Sequence, residues 1–486
     1  MTDHQLTYLF IDESKIEHLD NVVQGVGPAT KIGDQPLLRC DQPWAKDWEF
    51  GGYTNVMYDA DDGLFKMWYN VRRPLSEQRG EEADGLAYAF SEDGINWQTP
   101  VINLVEDNGS TDNNLVFPFF RWGAGNSVFK DPIETDPAKR YKMLFMLQSE
   151  SMRFAGICQP VCVAYSADGI YWNVPPGWLN PVIPEGTDTQ IVAYWEPKIR
   201  RYVVYLRGRP NVRIICMAES EDFESWTPRQ TIVEPDEQDP PHDREFYGMS
   251  SMLYRDMRIG FLSIFHTLNE GWIAANQIEP WMPEWMNQMD VQLTYSHDGR
   301  TWHRAGNREP VLVCGDSGAY DSGSVLPPNA PFIIDDEIWI YHHGSNRLHG
   351  EQTRDGVPPQ EGVNLAKIKK DRLVCLKTDA EGVVTTTSLA ANPEKLWLNA
   401  DTSSGSIRVE LLDPFDRVIA GYGAEDCVPV TGDNIEHRIT WKSDGAALGN
   451  ISGGLEEKMV SQSRGSCKIR LYLDLAKVFA VYTDLF

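Results

Sequence analysis

Four carboxylates in this chain stand at spacings that suggest shared work. Glu49, in Trp48-Glu-Phe-Gly-Gly, lies seven residues ahead of Val56, and Glu245, in Arg244-Glu-Phe-Tyr-Gly, lies seven residues ahead of Met252. Asp188, in Gly186-Thr-Asp-Thr-Gln, and Asp321, in Tyr320-Asp-Ser-Gly-Ser, precede apolar runs in a comparable way. A carboxylate is costly to bury unpaired, so acids brought to one place imply ion pairing, a cation or catalysis. Two carboxyl groups flanking a bond, one protonated and one ionised, are what hydrolysis of a glycosidic bond requires. Each acid alone is also readable as an ordinary loop carboxylate. Repetition at one register is what favours a common site.

Such a site needs elements that gather distant residues. One phrase recurs: Ser91-Glu-Asp-Gly-Ile-Asn-Trp97, Ser166-Ala-Asp-Gly-Ile-Tyr-Trp172, Ser220-Glu-Asp-Phe-Glu-Ser-Trp226 and Ser296-His-Asp-Gly-Arg-Thr-Trp302. Each follows a strand-like apolar run such as Leu86-Ala-Tyr-Ala-Phe or Val161-Cys-Val-Ala-Tyr. Asp-Gly favours a tight turn, because glycine accepts positive φ and aspartate bonds its own backbone, so the phrase predicts a hairpin. A second hairpin precedes each phrase, for example Asn55-Val-Met-Tyr with Phe65-Lys-Met-Trp-Tyr69, and Ser127-Val-Phe-Lys with Tyr141-Lys-Met-Leu-Phe145. A fifth, degenerate unit has Ser324-Val-Leu and Ile338-Trp-Ile-Tyr341. Two hairpins make a four-stranded antiparallel sheet, and five in series predict an all-β fold, a five-bladed β-propeller.

From about residue 385 the rhythm changes. Leu396-Trp-Leu-Asn, Ser406-Ile-Arg-Val-Glu-Leu-Leu, Arg438-Ile-Thr-Trp and Cys467-Lys-Ile-Arg-Leu-Tyr-Leu alternate between Gly, Asp and Ser turns, which predicts a C-terminal β-sandwich over 385–486. Residues 46–384 form the propeller in this reading, and 1–45 a lead-in segment packed on it.

In a propeller the first strand of each blade lines the channel, and the second runs back beside it. First-strand starts and second-strand ends therefore share one face. That face is expected to hold Glu49, Asp188, Glu245 and Asp321, with Arg72, Arg207, His266 and His343 from the second strands and Trp48 and Trp122 nearby. The arginines could simply neutralise the acids, and Tyr341-His-His-Gly could hold satisfied core histidines. Asp131, in Phe129-Lys-Asp131-Pro, sits where the strand turns outward and reads as turn chemistry.

Composition narrows the partners. The 486 residues are too many for one ordinary core. The net charge of -27 repels phosphate backbones and anionic bilayers, which argues against nucleic acid and membrane. The 16 tryptophans suit flat ligands such as sugars. Met1 to Glu13 has no basic start followed by an apolar run, so the expectation is no signal peptide and a cytoplasmic location. The eight cysteines are scattered, and Cys158 and Cys162 have no second pair to complete a zinc site, so neither a metal nor a cofactor is expected. A homo-oligomer is compatible with the sequence.

These units, their Asp-Gly-x-x-Trp hairpins and the appended sandwich make the chain resemble the five-bladed β-propeller glycosidases of the glycoside hydrolase family 32/43 type. Family 32 opens its first blade with Trp-Met-Asn-Asp-Pro-Asn-Gly, where this chain has Trp48-Glu-Phe-Gly-Gly and only Glu49 as a counterpart. Its Arg-Asp-Pro role is not carried over to Asp131, which is displaced to the far end of its strand, and its Glu-Cys acid motif is absent. The resemblance implies a glycosidase acting on an oligosaccharide or small glycoside. Our reading makes Glu245 the acid/base and Asp188 the nucleophile or base, with Glu49 and Asp321 tuning the acid or holding hydroxyls. Two rivals stand beside it: a phosphorylase or glycosyltransferase using the Arg/His cluster to hold phosphate, and a non-catalytic sugar-binding propeller.

Overall fold

A computed structural model describes residues 4–76, 81–121, 125–147, 159–175, 181–188, 190–209, 211–267, 287–349, 359–442 and 466–484. It is nearly all β. The helical content among these residues is four three-residue 3-10 turns, and no helix is long and apolar enough to cross a membrane. The chain divides into two compact units, one comprising 29–303 and 312–367, the other 1–28, 304–311 and 368–486.

The larger unit repeats antiparallel sheets in chain order. The first joins Glu49–Asp59, Leu64–Ser76, Glu81–Ser91 and Leu115–Arg121. The second joins Ser127–Lys130, Tyr141–Met146, Val161–Ser166 and Trp172–Asn173. The third joins Val192–Glu196, Arg201–Gly208, Ile214–Ser220 and Gln230–Val233. A fourth group has Glu245–Tyr254, Met257–Phe265 and Met289–Ser296. A fifth has Ser324–Leu326 and Phe332–Ile334 on Glu337–Ser345, followed by Glu361–Lys369 with Thr30–Lys31 at its edge. One parallel bridge, Met289 to Ser324, links the last two groups.

The first strands meet one another. Asn55 Oδ1 accepts from Val128 N at 2.8 Å, Ser127 Oγ from Ala193 N at 2.8 Å, and Asn329 Oδ1 from Gln190 Nε2 at 2.9 Å. Thr54 O accepts from Asn329 N at 3.0 Å, returning the fifth group to the first. Tyr53 OH donates to Tyr247 OH at 3.2 Å across the middle.

The recurring phrase forms one hydrogen-bonded turn four times. Asp93 Oδ1 accepts from Ile95 N and Asn96 N, and Asp168, Asp222 and Asp298 do the same in their turns. These amides hold Asp298 down at about 2 against the opposing effect of burial. Gly94, Gly169 and Gly299 have φ of 74°, 80° and 73°, and Phe223 takes the same left-handed conformation at 68°. Phe223 is fully buried against Trp226, Tyr202 and Phe129, and this packing offsets a backbone cost of about 1–2 kcal/mol.

The turns also key neighbouring sheets together. Trp68 Nε1 donates to Gly169 O at 2.6 Å, and Tyr341 OH to Gly94 O at 2.7 Å. A Cβ on Gly169 would lie 2.5 Å from Trp68 Cζ2.

The smaller unit departs from the expected boundaries. Residues 1–28, read from sequence as part of a lead-in on the propeller, instead supply three strands to this unit. Leu6–Leu9 pairs Lys477–Thr483, Ile16–Asp20 pairs Glu381–Thr386, and Val23–Val26 pairs Val374–Lys377. Those partners also carry its start back to Ile368, ahead of 385. Among the described residues its ten strands are linked by hydrogen bonds into one continuous network. The reason is the 17-residue strand Leu396–Leu412, which fuses two expected strands. Its first half pairs Lys477–Thr483 and its second half Ser466–Asp474, around a core of Leu398, Val409, Leu471, Val481 and Trp441. Gly405 permits the crossing, since a Cβ there would fall 1.9 Å from Asp474 O.

Gly169→Ala combines this kind of overpacking with a left-handed φ. It should destabilise the protein by about 1–3 kcal/mol, measured by chemical unfolding, whereas alanine at Gly109, which has open space around it, should cost less.

Candidate active site

The Tyr53–Tyr247 contact is the floor of a polar cluster. Arg207, from the end of Arg201–Gly208, is 5% exposed and places its guanidinium 4.6 Å from the centre of the Tyr247 ring. Burial lowers its pKa from the usual arginine range. Its Nη2 pairs with Asp188 Oδ1 and donates to Asp188 O at 2.8 Å, while Nε and Nη1 have no hydrogen-bond partner among the described residues. Arg213, just before Ile214–Ser220, lies 4.8 Å above the Phe265 ring. Its Nη1 and backbone N donate to Glu245 Oε2 at 2.8 and 3.2 Å. His349 Nε2 is 2.9 Å from Tyr247 OH. Asp188, in the segment before the third sheet, and Glu245, which opens the fourth group, are thus both tethered by arginines beside one aromatic ring.

Glu49 joins this cluster through the loop that carries His349. It opens its strand opposite Arg72 and takes Arg347 Nη1 at 3.2 Å. Arg72 Nε donates to Asp84 Oδ1 at 3.1 Å. Burial raises Asp84 against the pull of Arg72. Glu361, at the start of Glu361–Lys369, accepts Phe50 N at 2.7 Å. Burial outweighs that hydrogen bond and, with the charge of Glu49, raises Glu361 to about 7.

Other expected site residues are placed differently. Asp321 is 2% exposed and ion-paired to Lys31, which a chain reading could not foresee because Lys31 arrives from the N-terminal edge strand. It is an internal ion pair, away from ligand access. Trp48 is 5% exposed, donates Nε1 to Asp107 Oδ2 at 2.9 Å and packs edge-on to Phe119, so its ring is core and offers no stacking face. His343 is buried against Phe50, and burial with the neighbouring His342 and Arg72 lowers it to about 3. It is a neutral core ring, removed from the rim role expected of it. Trp122 lies outside the described residues.

His266 occupies a separate recess of about 250 Å³ lined by Gln288, Met289, Asp290, Val313, Cys314 and Gly315. Its Nδ1 is 2.7 Å from Asp243 Oδ1 and its Nε2 3.0 Å from Asp290 Oδ2. Burial disfavours the charged ring, yet the two carboxylates prevail and raise it to about 10. Among the described residues no three His, Cys, Asp or Glu side chains are grouped to hold a metal ion.

Arg213, Asp84, Asp290 and Glu361 escaped the sequence reading for one reason. They sit at or near the starts of third strands, which lie beside second-strand ends on the same face. Extending the antiparallel argument by one strand finds all four. Tyr247, two residues after Glu245, carried no distinguishing signal.

No protein-family model and no curated protein matches the chain. Solved structures do. An N-acetylgalactosamine deacetylase from F. plautii, in complex with blood group B trisaccharide, is 12% identical, with 71% of this chain and 95% of that one covered and a TM-score of 0.47. A β-1,2-mannobiose phosphorylase from Listeria innocua is 12% identical over 70% of this chain and 96% of that one, at a TM-score of 0.47. A thermostable family-43 glycoside hydrolase is 11% identical over 68% and 94%, at a TM-score of 0.41.

The double carboxylate clamp makes His266 measurable. Its ring should remain protonated through pH 8 in an NMR titration, and Asp290→Asn should lower its midpoint by about one unit or more. Because the folded value lies above the unfolded one near 6.5, the stability His266 contributes is complete below that pH and lost as pH rises towards 10. A midpoint near 6.5 in the folded protein would contradict the clamp.

Proposed function

We propose that the larger unit is a five-bladed β-propeller catalytic domain and that the Tyr53–Tyr247 mouth cleaves glycosidic bonds of an oligosaccharide or small glycoside. The observation that carries this reading is the approach of Asp188 and Glu245, 57 positions apart in the chain, to arginines packed beside one tyrosine ring. Glu245 serves as proton donor to the leaving oxygen, and Asp188, with its side chain 39% exposed, as nucleophile or base on the other side of the bond. Glu49 and Arg347 border the site, and the buried Tyr53–Tyr247 pair supports the arginines from beneath.

A second reading has its own support. Among the described residues Arg207 Nε and Nη1 and Arg213 Nε are buried without hydrogen-bond partners, which suits an oxyanion beside the acids. Phosphate as the acceptor in place of water would make the enzyme a phosphorylase.

Both readings are tested by assaying a disaccharide panel with and without inorganic phosphate. Glu245→Gln and Asp188→Asn should each lower kcat by about 100-fold or more at unchanged fold. Release of free sugar without phosphate identifies hydrolysis, and phosphate-dependent release of a glycosyl phosphate identifies phosphorolysis. Full turnover in both variants removes the two acids from the mechanism, and sugar binding without turnover in the parent leaves a binding propeller.

A further inference from the structure

One carboxyl at this mouth has no part in the chemistry above. Glu361 is mostly buried, and its Oε1 is occupied by the Phe50 amide, the peptide that follows Glu49. The charged groups around it come from every neighbouring element: Glu49 on the first strand, Arg72 on the second, Arg347 in the loop after Glu337–Ser345, and the Cys40 thiol from the segment before the first strand. Among the described residues neither arginine forms an ion pair with Glu361. Arg347 is committed to Glu49 and Arg72 to Asp84. Burial, reinforced by Glu361 and other nearby acids, pushes Cys40 well up, so the thiol stays neutral and leaves the carboxyls to compete. Burial and the charge of Glu49 lift Glu361 to about 7, so its proton leaves near neutral pH. The new charge then arises beside an arginine already held by another carboxylate. Arg347 is two residues from His349, whose ring holds the Tyr247 hydroxyl at the mouth.

We propose that Glu361 is a positioning residue whose ionisation draws Arg347 away from Glu49 and so resets the His349–Tyr247 contact at the mouth. With Glu361 neutral, Arg347 stays on Glu49 and the loop holds the arrangement described here. With Glu361 ionised, two carboxylates contend for one guanidinium and the loop loses that anchor.

The test has two arms, and only the first rests on the glycosidase reading. On a glycoside that the parent turns over, the rate should fall on the alkaline side with a midpoint near 7. Glu361→Gln, fixed in the neutral form, should remain active at pH 6, within roughly threefold of the parent, and lose that alkaline fall. An unchanged alkaline fall overturns the proposal. So does a folded variant inactive at every pH, which would make Glu361 the proton donor itself.

The second arm uses chemical unfolding between pH 4 and 8 and needs no substrate. A folded value raised above the unfolded one means that the stability of the parent relative to Glu361→Gln is greatest at the acid end, declines as pH rises to about 7 and then levels. Glu49→Gln should move the midpoint of that decline down, and Arg347→Met should move it up, each by about half a unit or more. A difference that is flat with pH, or indifferent to both neighbours, overturns the proposal. A parent without turnover on any glycoside defeats the glycosidase reading, while this arm still decides whether Glu361 titrates against Glu49 and Arg347.

Discussion

A buried acid at the outer end of a first strand, shared with the next sheet, is the interaction on which the larger unit depends. Asp59 accepts from Lys66 of its own sheet at 2.8 Å and from Lys130 and Tyr141 of the second sheet. Asp131 accepts from Lys142 at 3.1 Å and from Tyr202 of the third sheet at 2.6 Å. Glu196 pairs with Arg258 of the fourth group. These acids are 2, 6 and 3% exposed, so each carries a desolvation penalty that only its partners offset. Removing one member of such a pair typically costs about 3–5 kcal/mol, far more than any surface pair contributes. The clasps are directional as well, because each acid points to the sheet that follows it in the chain.

That constraint is what allows a site to be assembled from distant residues. The candidate site draws on residues as far as 298 positions apart, and Tyr53 reaches Tyr247 across 194 positions of chain spanned by the clasped sheets. The clasps close the outer ends of the first hairpins, where the chain turns, while Asp188, Glu245 and Glu49 sit at the opposite ends. Structural acids and candidate catalytic acids are therefore divided by strand direction.

The mouth is cationic within its acids. Arg207 and Arg213 are nearly buried, stack on aromatic faces and spend only part of their hydrogen-bonding capacity on Asp188 and Glu245. Burying guanidinium groups that are only partly paired costs free energy, and the aromatic faces and acids around them offset part of it. The His266 recess has the opposite character, with one imidazolium held between two carboxylates.

Local order was legible along the chain. Asp-Gly and the alternating apolar runs dictate hairpins, because turn chemistry and a two-residue side-chain period act over a few neighbouring positions. The strands Ser127–Lys130, Tyr141–Met146 and Val161–Ser166 lie where those signals put them. Arg207 beside Asp188 was legible for the same reason, since adjacent hairpin strands fix that neighbourhood. The remainder depended on long-range packing. Residues 1–28 join the smaller unit because their strands pair with Val374–Lys377, Glu381–Thr386 and Lys477–Thr483. Lys31 takes Asp321 out of the site, Asp107 takes Trp48, and burial turns His343 into core. Exposure and long-range partners belong to the packed whole, and no spacing along the chain encodes them.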